Sequence, residues 1–128
     1  MSAANPFSYS ILRLVPRVER GERINAGVIV FCRPLGYLAA RTHLDDRRLA
    51  AIAPDLDPQT VRPHLAAIEG IAAGDPAAGP IAALEVTQRF HWLVAPSSTI
   101  IQPSEVHTGL CSDPADQLER LFRELVLP

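Results

Sequence analysis

The sequence predicts an α+β domain: an antiparallel sheet of about four strands, a three-strand meander plus a later strand, packed against three to four helices. Three observations carry that expectation. Two apolar segments, Phe7–Val15 and Ile24–Cys32, flank a short charged turn containing Gly21, the pattern of a hairpin. A third segment, Tyr37–His43, follows across Pro34-Leu35-Gly36, and neighbouring antiparallel strands are the simplest arrangement for such closely spaced elements. Near the end, Asp113-Pro114 precedes Leu118, Leu121, Phe122 and Leu125, an N-cap, a first-turn proline and an apolar stripe at helical spacing.

Phe7–Val15 alternates Phe7, Tyr9 and Ile11 with Ser8, Ser10, Leu12 and Leu14, which predicts a strand wet on one side in its first half and buried on both in its second. Arg13 falls on the Tyr9–Ile11 face, where a charge needs a partner or a route to the rim. Ile24–Cys32 is apolar on both faces and therefore central in the sheet. Its opening Asn25-Ala26-Gly27 suits a strand poorly, so Gly27 marks a bulge or a close backbone approach. Asp45–Ala53 predicts a short helix with Leu49 and Ile52 inward. A second helix lies within Asp57–Ala73, capped by Asp57-Pro58, with Val61, Leu65, Ile68 and Ala72 as its stripe. Pro63 kinks it or moves its start toward Thr60. Gly74–Pro80 is a loop, Glu85–Val94 a short helix with Phe90, Leu93 and Val94 inward, and Thr99–Gln102 the later strand. Pro103–Gly109 follows as a polar segment.

With 128 residues the chain is expected to be one domain, residues 1–128, large enough for a core without disulfides. Its longest apolar runs fall far short of a bilayer span, and Met1–Pro6 shows no basic-then-apolar leader, so a cytoplasmic protein with no membrane role is expected. A net charge of −2 argues against nucleic acid as a partner. All basic residues are arginine, as the alanine- and proline-rich composition of a GC-rich genome would produce. Cys32 and Cys111 are expected to be free thiols; their spacing with His43 or His107 matches no metal-site pattern, so no metal and no cofactor are predicted. Phosphate-loop, dinucleotide and H-E-x-x-H motifs are absent.

Two polar clusters remain that could carry chemistry. One surrounds the first turn: Arg13, Glu22, Arg23 and Asn25, with Glu19 beside them. The other is Thr99, Gln102, Ser104, His107 and Thr108. Brought to the same end of the sheet, they would offer arginines for an anion, a histidine as acid/base and hydroxyls as donors. In that reading the chain is a small enzyme acting on an anionic substrate. His107 and Asn25 are then the catalytic candidates, and Arg13, Arg23, Glu22, Thr99, Ser104 and Thr108 the substrate-binding ones. The competing reading is a non-catalytic module that docks a protein partner through its C-terminal helix or sheet face.

The segments F-S-Y-S-I-L-R-L-V-P, G-E-R-I-N-A-G-V-I-V-F and R-F-H-W-L-V-A-P-S-S-T-I-I-Q-P-S-E-V-H-T-G together resemble domain of unknown function 3037, a family of small bacterial proteins, over nearly the whole chain. The family's pattern runs through Arg13, Gly21, Glu22, Asn25, Gly27, Val28, Thr99, His107, Thr108 and Gly109 here. The resemblance implies a gene often placed beside one for a HipA-like kinase, which makes that kinase the first expected partner; a second copy of the chain, as a homodimer, is another. It assigns no activity, and the sparse catalytic set favours the accessory-module reading.

Overall fold

Two layers of helix enclose one antiparallel sheet in the computed structural model, which describes residues 4–128. The expectation that Met1–Pro6 lacks a leader falls partly on residues 1–3, outside the described residues. The strands are β1 (Asn5–Leu14), β2 (Ile24–Cys32), β3 (Tyr37–Thr42), β4 (Ile101–Pro103) and β5 (His107–Cys111). The helices are α1 (Asp46–Ile52), α2 (Pro58–Ala73), α3 (Val86–Val94) and α4 (Pro114–Leu125). β1, β2 and β3 form the expected meander, and β1 takes both β4 and β5 along its other edge.

Those two short strands are one interrupted lane. Leu12 pairs with Pro103 and Tyr9 with His107, so Ser10 and Ile11 face the three residues 104–106 across a bulge. The later strand expected at Thr99–Gln102 thus begins at Ile101, and half of the segment read as polar loop continues as β5. The alternation His107–Thr108–Gly109 is too polar to announce a strand; pairing with β1 makes it one.

The sheet's two faces are buried against different helices. Leu12, Leu14, Ile29, Phe31 and Leu38 pack with Leu49, Val61, Leu65, Phe90 and Leu93 of α1–α3, and Phe31 stacks on Phe90 at 4.6 Å between ring centroids. Phe7, Val28, Val30 and Cys32 pack on the other side with Leu118, Leu121 and Phe122 of α4. This double burial explains why β2 reads as apolar at every position after its bulge. Arg41 of β3 lies over the Phe122 ring at 4.6 Å and reaches Glu119 at 3.3 Å, guiding α4 onto the sheet.

Helix boundaries follow local chemistry. Asp45, Asp57, Glu85 and Asp113 each accept from first-turn amides of α1, α2, α3 and α4. Pro63 is accommodated inside α2, and the helix starts at Pro58, not near Thr60. The side of β1 expected to be wet is not uniformly so. Ser10 is completely buried, its hydroxyl donating to the Ser104 carbonyl at 2.9 Å. A serine on an alternating strand reads as solvent-facing until a buried partner satisfies it.

No helix among the described residues is long and apolar enough to cross a membrane.

Candidate functional site

The first polar cluster is held apart by its own bonds. Between β1 and β2, Gly21 adopts φ 71° to close the turn, Arg20 pairs with Glu22, and Arg17 pairs with Glu19 at 3.4 Å. The guanidinium of Arg20 holds the Glu22 carboxyl below its ordinary range. Arg23 is exposed. Register then shifts: Leu12 faces Gly27 and Arg13 faces Asn25, leaving Ala26 as the extra residue of a bulge, as Gly27 had suggested. Ala26 uses its carbonyl to accept from the His43 amide at 2.8 Å.

That bulge turns Asn25 toward α4. Its Nδ2 donates to the Leu125 carbonyl at 2.9 Å, one of the carbonyls that a helix leaves unsatisfied at its C-terminus. Arg48 donates to the next carbonyl, Val126, at 3.3 Å. Asn25 therefore ties the start of β2 to the end of the chain, a bond worth about 1 kcal/mol. Arg13, half-buried, lies on the same sheet face between Asn25 and Gln102, with no ion pair among the described residues.

The second cluster is divided between faces. Thr99 donates to the Ile101 carbonyl at 3.0 Å and accepts, through its own carbonyl, from Gln102 at 2.9 Å. Ser104 is buried in the bulge, where its Oγ accepts from the Ile11 amide at 2.8 Å and its amide donates to the Ile11 carbonyl at 2.8 Å. His107 shares the Arg13 face, its ring 5.1 Å from Tyr9 and its Nε2 3.8 Å from Glu105. Thr108 pairs with Ser8 on the opposite face.

Arg13, Asn25 and His107 thus share one side of the sheet without converging. His107 is level with Tyr9, four residues along β1 from Arg13, or about 13 Å at strand spacing. The turn and the His107–Gly109 segment lie toward different ends of β1, not the same end. Among the described residues, three of the better-formed cavities are lined by neither Arg13, Asn25 nor His107.

One of these was not expected from sequence. A cavity of about 480 Å³ lies between α2 and the segment that leads from α3 into β4. Its α2 wall is His64, Ala67, Ile68 and Ile71, a stripe at helical spacing; Trp92 and Pro96 stand opposite, and Leu12 is the floor. Apart from His64, no ionisable side chain lines it, and Thr99 is the one residue of the expected site that reaches it. Trp92, the only tryptophan, is 50% exposed there. The sequence signal for it was available: Trp92 falls off the stripe through Phe90 and Leu93 that turns α3 inward.

Cys32 and Cys111 are free and buried beneath α4. Burial, with Cys32 and Asp113 nearby, pushes the Cys111 thiol above its ordinary 9.0, and burial with Asp113 and Glu119 pushes the Tyr37 phenol above its ordinary 10.0. Folding therefore favours the protonated forms. The unfolded chain gives up these protons first, so their contribution to stability is full well below pH 9 and is lost as pH rises through and beyond these ordinary values. Urea unfolding midpoints should fall between about pH 8 and pH 10.5, and the Tyr37→Phe variant should lose less over that interval. No group of three metal-ligating side chains stands together among the described residues.

Fold and surface together define a small α+β protein with an antiparallel sheet between two helical layers and a mainly apolar cavity beside α2. The chain belongs to the family described as Protein of unknown function (DUF3037), whose model matches residues 9–126. No curated protein and no solved structure matches it.

Proposed function

We propose that this protein is a cytoplasmic, non-catalytic accessory module that binds an apolar segment of another protein in the groove between α2 and the α3–β4 connection. The observation that carries the reading is the half-exposed Trp92 on a groove lined mainly by alanine, leucine, isoleucine and proline, with His64, Ser97 and Thr99 as its polar members. Exposed tryptophan in an apolar recess is the side chain that most often anchors a protein contact. Two features of the polar clusters support the same reading. Asn25 and Ser104 spend their side chains on backbone groups of α4 and β1, and His107 lies beside Tyr9 outside the described cavities. The apolar stripe of α4, one of the docking surfaces considered from sequence, is occupied by the sheet. The first partner to test is the HipA-like kinase that the family resemblance implies.

Calorimetric titration of the purified chain with that kinase tests the proposal. Ala67→Glu, which puts a charge on an exposed helical position of the groove, and Trp92→Ser should each weaken binding by about 2 kcal/mol, about thirtyfold. His107→Ala should leave it unchanged. Binding indifferent to both groove variants, or lost with His107→Ala, would overturn the reading.

A further inference from the structure

The two edges of the sheet are finished differently. On the β3 edge, Glu69 of α2 accepts from the Thr42 amide at 2.8 Å and from its hydroxyl at 2.6 Å, so a side chain takes up one outward amide of that strand. Among the described residues no side chain bonds the outward backbone of β5. The register fixes which of its groups are unpaired. Pro6 has no N–H, so Pro6–Leu110 is a pair that exchanges no ladder bonds, and its neighbours Phe7–Gly109 and Tyr9–His107 are the pairs that do. Two bonds agree with this phase: the Pro6 carbonyl accepts from Cys32 on the β2 side, and the Ile11 carbonyl accepts from Ser104 on the β4 side. The N–H and C=O of Thr108 and Leu110 therefore point away from β1, with no partner among the described residues.

Charged side chains or prolines ordinarily protect such an edge. Val106-His107-Thr108-Gly109-Leu110-Cys111-Ser112 carries neither an acidic residue, an arginine nor a proline. Leu110 is 69% exposed, the most of any large apolar side chain described.

We propose that β5 pairs antiparallel with β5 of a second copy, joining two sheets across a twofold axis at Gly109. The phase of the outward groups selects this register. Thr108 of each copy faces Leu110 of the other and both backbone bonds of the pair are made, while Gly109 faces Gly109 where strands approach most closely, about 4.5 Å between Cα atoms. Such pairing is self-complementary, as a twofold contact requires. It also gives Leu110 a receptor. The leucine of each copy lands beside Thr108 of the other, at the mouth of a second cavity lined by Pro6, Phe31, Pro34 and Thr108. Outside the strand, the register opposes Glu105 and Asp113, so raised salt strengthens the pairing. This edge is separate from the Trp92 groove, and the two surfaces are testable independently.

Sedimentation of the full chain over a concentration series, with hydrogen exchange read at individual amides, decides it. A concentration-dependent dimer is expected in which the Thr108 and Leu110 amides are protected, becoming free on dilution. Leu110→Lys should weaken association by about tenfold or more. Thr108→Pro, which deletes an outward N–H and leaves the ladder to β1, should do the same with little change in the monomer. A chain that stays monomeric up to about 1 mM overturns the proposal. So does a dimer whose Thr108 and Leu110 amides exchange freely, or one that Leu110→Lys leaves intact.

Discussion

Gly27→Val is expected to lower stability by about 3 kcal/mol or more, because the added side chain would enter an already filled crossing of three strands. A Cβ at Gly27 would lie 2.9 Å from the Arg41 carbonyl oxygen, 2.9 Å from Leu12 Cδ1 and 3.0 Å from Thr42 Cγ2. A leucine methyl can rotate away; the carbonyl of a neighbouring strand cannot move without carrying β3 and the helices packed on it. At about 3 to 5 °C per kcal/mol for a chain of this size, thermal unfolding should shift down by about 10 °C or more. Gly21→Ala is the informative control. Gly21 has φ 71° and open space around it, so only backbone strain of about 1 kcal/mol is at stake. If both variants unfold within a degree or two of the parent, close packing at β2 is not what the glycine serves.

Ser104→Ala is expected to cost about 1 to 3 kcal/mol, far more than loss of a surface hydroxyl. In the bulge between β4 and β5, Ser104 Oγ takes the place of a missing ladder carbonyl and accepts from the Ile11 amide at 2.8 Å. Alanine leaves that amide without an acceptor and removes the hydroxyl that lies 3.4 Å from the buried Ser10 Oγ. Native-state hydrogen exchange should show the loss locally, with the Ile11 amide exchanging faster while β2 and β3 amides follow only the global change. Ser104→Thr keeps the hydroxyl and should recover part of the protection. Unchanged exchange at Ile11 in Ser104→Ala would remove the structural role and return Ser104 to the set of ligand-binding candidates.

Both variants concern residues that the sequence marks as unusual without saying why. The β2 segment was legible because its signals are local. Continuous apolar character placed it centrally, and Asn25-Ala26-Gly27 announced an irregularity that the structure makes both a bulge and a close approach. The helices were legible for the same reason, since Asp45, Asp57 and Asp113 act on amides two or three residues ahead. The interrupted β4–β5 lane was not, because a segment opening His107-Thr108-Gly109 becomes a strand only when β1 supplies the ladder.

The candidate site divides along the same line. Composition and pattern picked out Arg13, Asn25, Ser104 and His107 as polar residues that need a reason; Arg13, Asn25 and His107 occupy strand positions, and Ser104 lies in the bulge between β4 and β5. Their assignments depend on partners about a hundred residues away: Asn25 on the Leu125 carbonyl, Ser104 on Ile11. Sequence spacing carries no information about such contacts. The Trp92 groove is a gap between elements, made by where α2 stops covering the sheet and where the α3–β4 connection runs, so no single segment encodes it.

By itself, then, the sequence determined the β1–β3 meander, the four helices and their order, because periodicity, capping and turn chemistry act within a few residues. Only the tertiary structure decided that Asn25 and Ser104 satisfy backbone groups, that Gln102 pairs beside Arg13 while His107 and Thr108 lie further along β1 from the turn, and that an apolar groove and an unpaired strand edge are left open. Hydrogen-bond satisfaction and burial are settled between distant segments, at the moment they pack.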